Sequence, residues 1–99
     1  MITAKQATDR IIEAEKEEMQ REIASAMKWC DEYVSRDIEE RSSGKLSFVA
    51  YDLEKSRFGS RFIEAAVAFI QAHGFTVTVE EIERDNRITI EWPTTDQAA

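Results

Sequence analysis

Residues 3–44, TAKQATDRIIEAEKEEMQREIASAMKWCDEYVSRDIEERSSG, decide the fold, because neither glycine nor proline interrupts them before Gly44. Thr3 and Gln6 have the spacing of a capping box, in which two side chains satisfy each other's free backbone N–H groups at a helix start. From there apolar residues recur mostly in steps of three or four: Ala4, Ala7, Ile11, Ile12, Met19, Ile23, Ala26, Met27, Cys30, Val34 and Ile38. That spacing predicts one face of a single helix over residues 3–43. Glu17 with Arg21, Glu32 with Arg36 and Asp37 with Arg41 stand four apart in the favourable order, each pair worth about 0.2–0.5 kcal/mol. Ser42, Ser43 and Gly44 supply the stop, with Gly44 expected as the left-handed residue after the last turn.

Such a helix is roughly 60 Å long at about 1.5 Å per residue. A compact chain of this size has a radius of gyration of only about 13 Å. Either the helix breaks, near Ser25 or Ser35, or its N-terminal half projects and packs on another chain. The second outcome is expected, because the apolar stripe from Ala4 to Glu18 is too thin to hold an isolated helix. Ala4, Ala7, Ile11 and Ile12 are then the interface residues, and the homo-oligomer is the expected state. The half from Met19 to Ile38 is apolar enough to serve the domain's own core.

Beyond Gly44 the period falls to two. Leu46, Phe48 and Ala50 alternate with Ser47, Val49 and Tyr51, which predicts a strand over 46–51. Residues 56–73 read as a second helix, with Phe62, Ile63, Ala66, Phe69 and Ile70 on one face and Gly74 closing it. Residues 75–83 and 87–92 read as strands of a tight hairpin turning around Asp85 and Asn86. Pro93 ends the last strand and residues 94–99 form a flexible tail. The class is α+β: one domain over 1–93, in which a long N-terminal helix (3–43) is followed by a strand-helix-hairpin unit (45–93). The three strands form a sheet packed on the helices, with its other face left to solvent or a partner.

With 42% apolar residues the chain has enough for a core, and 99 residues make one domain. Thirteen basic against twenty acidic residues leave a charge of −7, spread through both halves. Affinity for duplex nucleic acid comes largely from Lys and Arg, so direct duplex binding is not expected. A basic-surfaced protein partner, a local basic pocket and mimicry of nucleic acid stay open. The lone Cys30 forms no intrachain disulfide, which fits a cytoplasmic chain. No apolar run approaches the length of a membrane span.

Chemistry is scarce. His73 stands at a helix end, where it reads as a cap. Cys30 lies on the apolar stripe beside Trp29 and reads as a buried thiol rather than a nucleophile. One His and one Cys make no structural zinc site, so no metal and no cofactor are expected. The carboxylates at Glu13, Glu15, Glu17 and Glu18, and at Glu80, Glu81 and Glu83, read as solvated faces. Gly44, Gly59 and Gly74 are isolated at element boundaries and build no phosphate loop. No enzyme is expected. Trp29, Tyr33 and Trp92 read as core or interface anchors. One constellation stands out: Lys55, Arg57 and Arg61 surround the start of the second helix, where free N–H groups attract anions, with Tyr51 near enough to stack on a small anionic ligand.

Four segments, Thr3 to Ala7, Gly44 to Phe48, His73 to Val77 and Ile88 to Trp92, carry a resemblance. The chain resembles small proteins encoded by tailed bacteriophages, in which an Ala/Glu-rich helix with a T-A-K-x-A-type start leads to a G-K-x-S-x strand. A helix ending H-G-F and a strand closing on I-x-W follow. The resemblance implies a phage or prophage origin, the host cytoplasm as location, and a role as virion accessory or inhibitor of host defence, without catalytic residues. Three functions follow as expectations. One is a non-enzymatic accessory protein that self-associates through the long helix and binds or inhibits a host protein. Another is an oligomeric sponge for an anionic nucleotide or signalling ligand. The third is an acidic nucleic-acid mimic, whose acidic face the basic residues interrupt.

Overall fold

The computed structural model describes residues 1–93; the expected tail, 94–99, lies outside the described residues. The capping box forms: the Thr3 N–H donates to Gln6 Oε1 at 3.0 Å and the Gln6 N–H to Thr3 Oγ1 at 3.2 Å. Helix α1 spans Ala4–Trp29, and the helix does not break. It passes through a five-residue π segment, Cys30–Val34, into α2, Ser35–Ser43.

The spacing of the apolar stripe accounts for the π segment. Ala26, Cys30 and Val34 are buried and Ile38 packs against them, so the core takes one residue every four. At 3.6 residues per turn, each four-residue step drifts by about 40° around the axis. A wider turn, in which the Ser35 N–H donates to the Cys30 carbonyl five residues back, takes up part of that drift. The wide turn also alters the expected ion pairs. Glu17 and Arg21 do meet, at 3.8 Å, but Glu32 pairs with Lys28 at 3.9 Å rather than with Arg36. Arg36 instead lies 5.6 Å from the centre of the Tyr33 ring.

At the end of α2 the left-handed residue is Lys45, with φ of 64°, not Gly44, with φ of −84°. The Leu46 N–H donates to the Arg41 carbonyl and the Lys45 N–H to the Ser42 carbonyl, the two bonds of a Schellman motif displaced by one residue. This displaced exit delays the first strand. β1 is Phe48–Glu54, later than the expected 46–51. Helix α3 is Ser60–Ala72, shorter than the expected 56–73, because the Arg57 and Phe58 N–H groups close a turn on the Glu54 carbonyl and Gly59 is extended. Gly74, with φ of 91°, ends α3 as expected.

Strands β2, Thr76–Ile82, and β3, Asp85–Glu91, form the hairpin, but its loop is Glu83–Arg84. Asp85 and Asn86 belong to β3, and Glu83 takes the positive φ of 51°. The register explains this: it places Ile88 and Ile90, both fully buried, on the helix side of the sheet. The sheet order is β1-β3-β2, with β3 antiparallel to both neighbours. Val49, Ile90 and Val77 form one row under the helices, and Tyr51, Ile88 and Val79 the next.

The helix layer covers one face. Ala26 of α1 and Ala66 of α3 have no exposed surface, and the Cys30 thiol lies 4.0 Å from the Ala66 carbonyl. Trp29 meets Tyr51 edge-on at 5.1 Å and Phe62 at 5.7 Å. Among the described residues nothing covers the other sheet face. It carries Thr76, Thr78, Ala50 and the two-bonded Asp52–Arg87 pair, at 2.7 and 3.1 Å. Phe48 also stands on this face, exposed.

Candidate functional site

The helix layer ends where α3 ends, and α1 continues beyond it. Thirteen residues of α3 span about 20 Å, against roughly 60 Å for the long helix. The radius of gyration is accordingly 17.8 Å and the extents are 67 × 28 × 20 Å. From Ala4 to Ser25 only Ala7 and Glu22 are half-buried; every other residue is exposed. Ile11 is 60% exposed, Ile12 46%, Met19 41%, Ile23 38% and Met27 41%. Ala4, Ile11 and Ile12 of the expected interface therefore stand in solvent. The half expected to serve the core, Met19 to Ile38, does so only from Ala26 onward, because α3 reaches no further.

The expected anion site is dispersed. Lys55 turns across to Glu81, at 3.8 Å. Arg57 lies 6.0 Å from the centre of the Phe58 ring, and Arg61 is exposed. Tyr51 points into the helix layer, where it packs on Trp29 and donates its hydroxyl hydrogen bond to Asp37 Oδ2. Asp37 is thereby drawn from Arg41, its expected partner. The start of α3 already faces a carboxylate of the chain itself, since a methyl group built on Gly59 would come within 3.3 Å of Glu22 Oε1. A carboxylate is favoured at that helix terminus.

His73 and Cys30 both line a cleft of about 230 Å³ between the π segment, α2 and the end of α3. The His73 Nδ1 lies 2.8 Å from the Phe69 carbonyl; since that oxygen only accepts, Nδ1 carries the proton and caps the helix. Burial first, then the charge of Asp31, pushes the Cys30 thiol from 9.0 up to about 11. Burial first, then the hydrogen bond to Asp37, raises the Tyr51 hydroxyl well above its usual range. Among the described residues no cluster of three or more His, Cys, Asp or Glu has the geometry of a metal site, and no helix is long and apolar enough to cross a membrane.

These groups set an alkaline limit. Both folded-state values are raised, so the fold favours the neutral forms. The stability they contribute is complete below the unfolded values and lost as pH rises through the folded ones. Urea midpoints are expected to hold up to about pH 9 and fall toward pH 11. In the native protein, alkylation of Cys30 at pH 8 is expected to run at least about 100-fold slower than in urea, the thiolate deficit that the raised value implies.

Comparison of the chain with protein-family models, curated proteins and solved structures returned no match.

Proposed function

We propose that the chain is a non-enzymatic interaction protein of phage or prophage origin that self-associates through α1 and, as that assembly, binds or inhibits a host protein. The carrying observation is the projecting part of α1, with Ile11, Ile12, Met19 and Ile23 exposed along a segment that serves no core of its own. The occupant is a second copy, and charge favours it lying antiparallel. Residues 4–16 balance Lys5, Arg10 and Lys16 against Asp9, Glu13 and Glu15. Residues 17–32 set only Arg21 and Lys28 against Glu17, Glu18, Glu22, Asp31 and Glu32. Antiparallel packing lays the balanced segment on the acidic one, whereas parallel packing stacks acid on acid. The phage origin rests on the resemblance of the four sequence segments.

The test is mass in solution. Sedimentation equilibrium of the wild type at micromolar concentration is expected to give a multiple of 11.4 kDa. The double substitution Ile11→Glu with Ile12→Glu is expected to lower that multiple while leaving the packing of the core intact, since neither side chain touches the core. A strictly monomeric wild type overturns the reading.

A further inference from the structure

The sheet has two edges, and they are not alike. At the β1 edge, α2 closes over the strand through the Tyr51–Asp37 hydrogen bond, and Val49 and Leu53 are buried. No residue of β2 is buried, and Val79 is 42% exposed. Five of the seven β2 residues, Thr76, Val77, Thr78, Val79 and Ile82, are β-branched, the side chains that suit a strand. Folded proteins blunt exposed edges with charged side chains, above all Lys, with Pro or with a bulge. Strand β2 contains no Lys, Arg or Pro, its two charges, Glu80 and Glu81, lie near its C-terminal end, and its pairing with β3 runs unbroken from Thr76 to Ile82.

The hydrogen-bond phase identifies which groups β2 presents outward. The Lys55 N–H donates to the Arg84 carbonyl and the Trp92 N–H to the Ser47 carbonyl, so odd-numbered residues of β1 bond even-numbered residues of β3. By the alternation of antiparallel ladders, the odd-numbered residues of β3 bond the even-numbered residues of β2. The N–H and C=O groups of Val77, Val79 and Glu81 therefore point away from the sheet.

We infer that this edge is a self-association surface distinct from α1, on which β2 of a second copy pairs antiparallel about Val79. In that register Val79 faces Val79 of the other copy, and each Val77 faces a Glu81. All three outward residues of each strand are paired, giving six new backbone hydrogen bonds and one six-stranded sheet. The register also settles the charges. Glu80 lies opposite Thr78 and Glu81 opposite Val77, whereas a parallel pairing sets the glutamates of the two copies side by side, which is unfavourable. Val79, exposed in the single chain, becomes covered by its own counterpart. The contact is isologous and closes on itself as a dimer.

The test is amide hydrogen exchange at residue resolution, with mass as second readout. Protection of the Val77, Val79 and Glu81 amides is expected to rise between micromolar and millimolar concentration, in the wild type and equally in the Ile11→Glu, Ile12→Glu variant, whose α1 contact is removed. Val79→Pro deletes an outward N–H and no bond of the β2–β3 ladder, so the fold is kept. It is expected to abolish the concentration dependence and to halve the mass of the α1-disabled protein at millimolar concentration. Val79→Lys sets two like charges face to face and is expected to do the same, should the proline disturb the strand. Exchange of the three amides that does not depend on concentration overturns the inference and leaves the edge to an extended segment of a different protein. A concentration dependence that survives both Val79 variants overturns it as well.

Discussion

Ile90→Ala is expected to lower the free energy of unfolding by about 2–5 kcal/mol, the usual loss for truncating a buried isoleucine. Ile90 has no exposed surface and is flanked in its row by Val49 and Val77. It sits on β3, the central strand of the sheet, so neither flank is free to collapse into the space left behind. A domain of this size has about 5–15 kcal/mol in total, and the variant therefore loses a large part of its margin. The urea midpoint falls with the slope unchanged. Ile90→Val, which keeps the branched β carbon, is expected to cost about 0.5–1.5 kcal/mol. A loss below 1 kcal/mol for the alanine variant would contradict the placement of the core under β3.

Phe62→Ala is expected to cost about 3–5 kcal/mol. Its ring lies 5.7 Å from Trp29 and 5.1 Å from Phe58, so it fastens α3 to the long helix at the place where α1 leaves the domain. The packing is mutual, and Trp29→Ala is not additive with it. A double-mutant cycle between the two positions is expected to return about 0.5–1.5 kcal/mol of coupling, the range for an aromatic pair. Coupling near zero would show that the two rings stabilise their own elements without joining them.

The elements with local punctuation were readable. Thr3 and Gln6 fix the start of the long helix, and Gly74 fixes the end of α3 because its φ of 91° suits glycine. The places where expectation and structure part are those where distant packing outweighs local preference. The dipeptide Asp85–Asn86 favours a turn, yet burying Ile88 and Ile90 sets the register and hands the loop to Glu83 and Arg84. Gly44 favours the left-handed conformation, yet the last turn of α2 runs one residue further and Lys45 takes it. Lys55, Arg57 and Arg61 are close along the chain, but Lys55 reaches across to Glu81 and Arg57 lies over the Phe58 ring, while Glu22, far away in sequence, stands beside the start of α3. The projecting part of α1 was legible because it needed only a comparison of helix length with domain size. The β2 edge was not, since strand order decides which strand is left at the edge, and no local signal encodes that order.

The π segment records a count. From Ala26 to Ile38 there are twelve residue steps, which in a regular helix turn through about 120° more than three full circles. Eleven steps would overshoot by only about 20°. The chain thus carries one residue more than three turns require, and the wide turn at Cys30–Val34 stores it while Ala26, Cys30, Val34 and Ile38 keep to one side. A related chain lacking one of the exposed residues Asp31, Glu32 or Tyr33 would make the same docking contacts with an ordinary helix. One with a further residue there would not, because the surplus place is already filled. The segment leaves the middle of the long helix free to shorten by one residue but closed to lengthening.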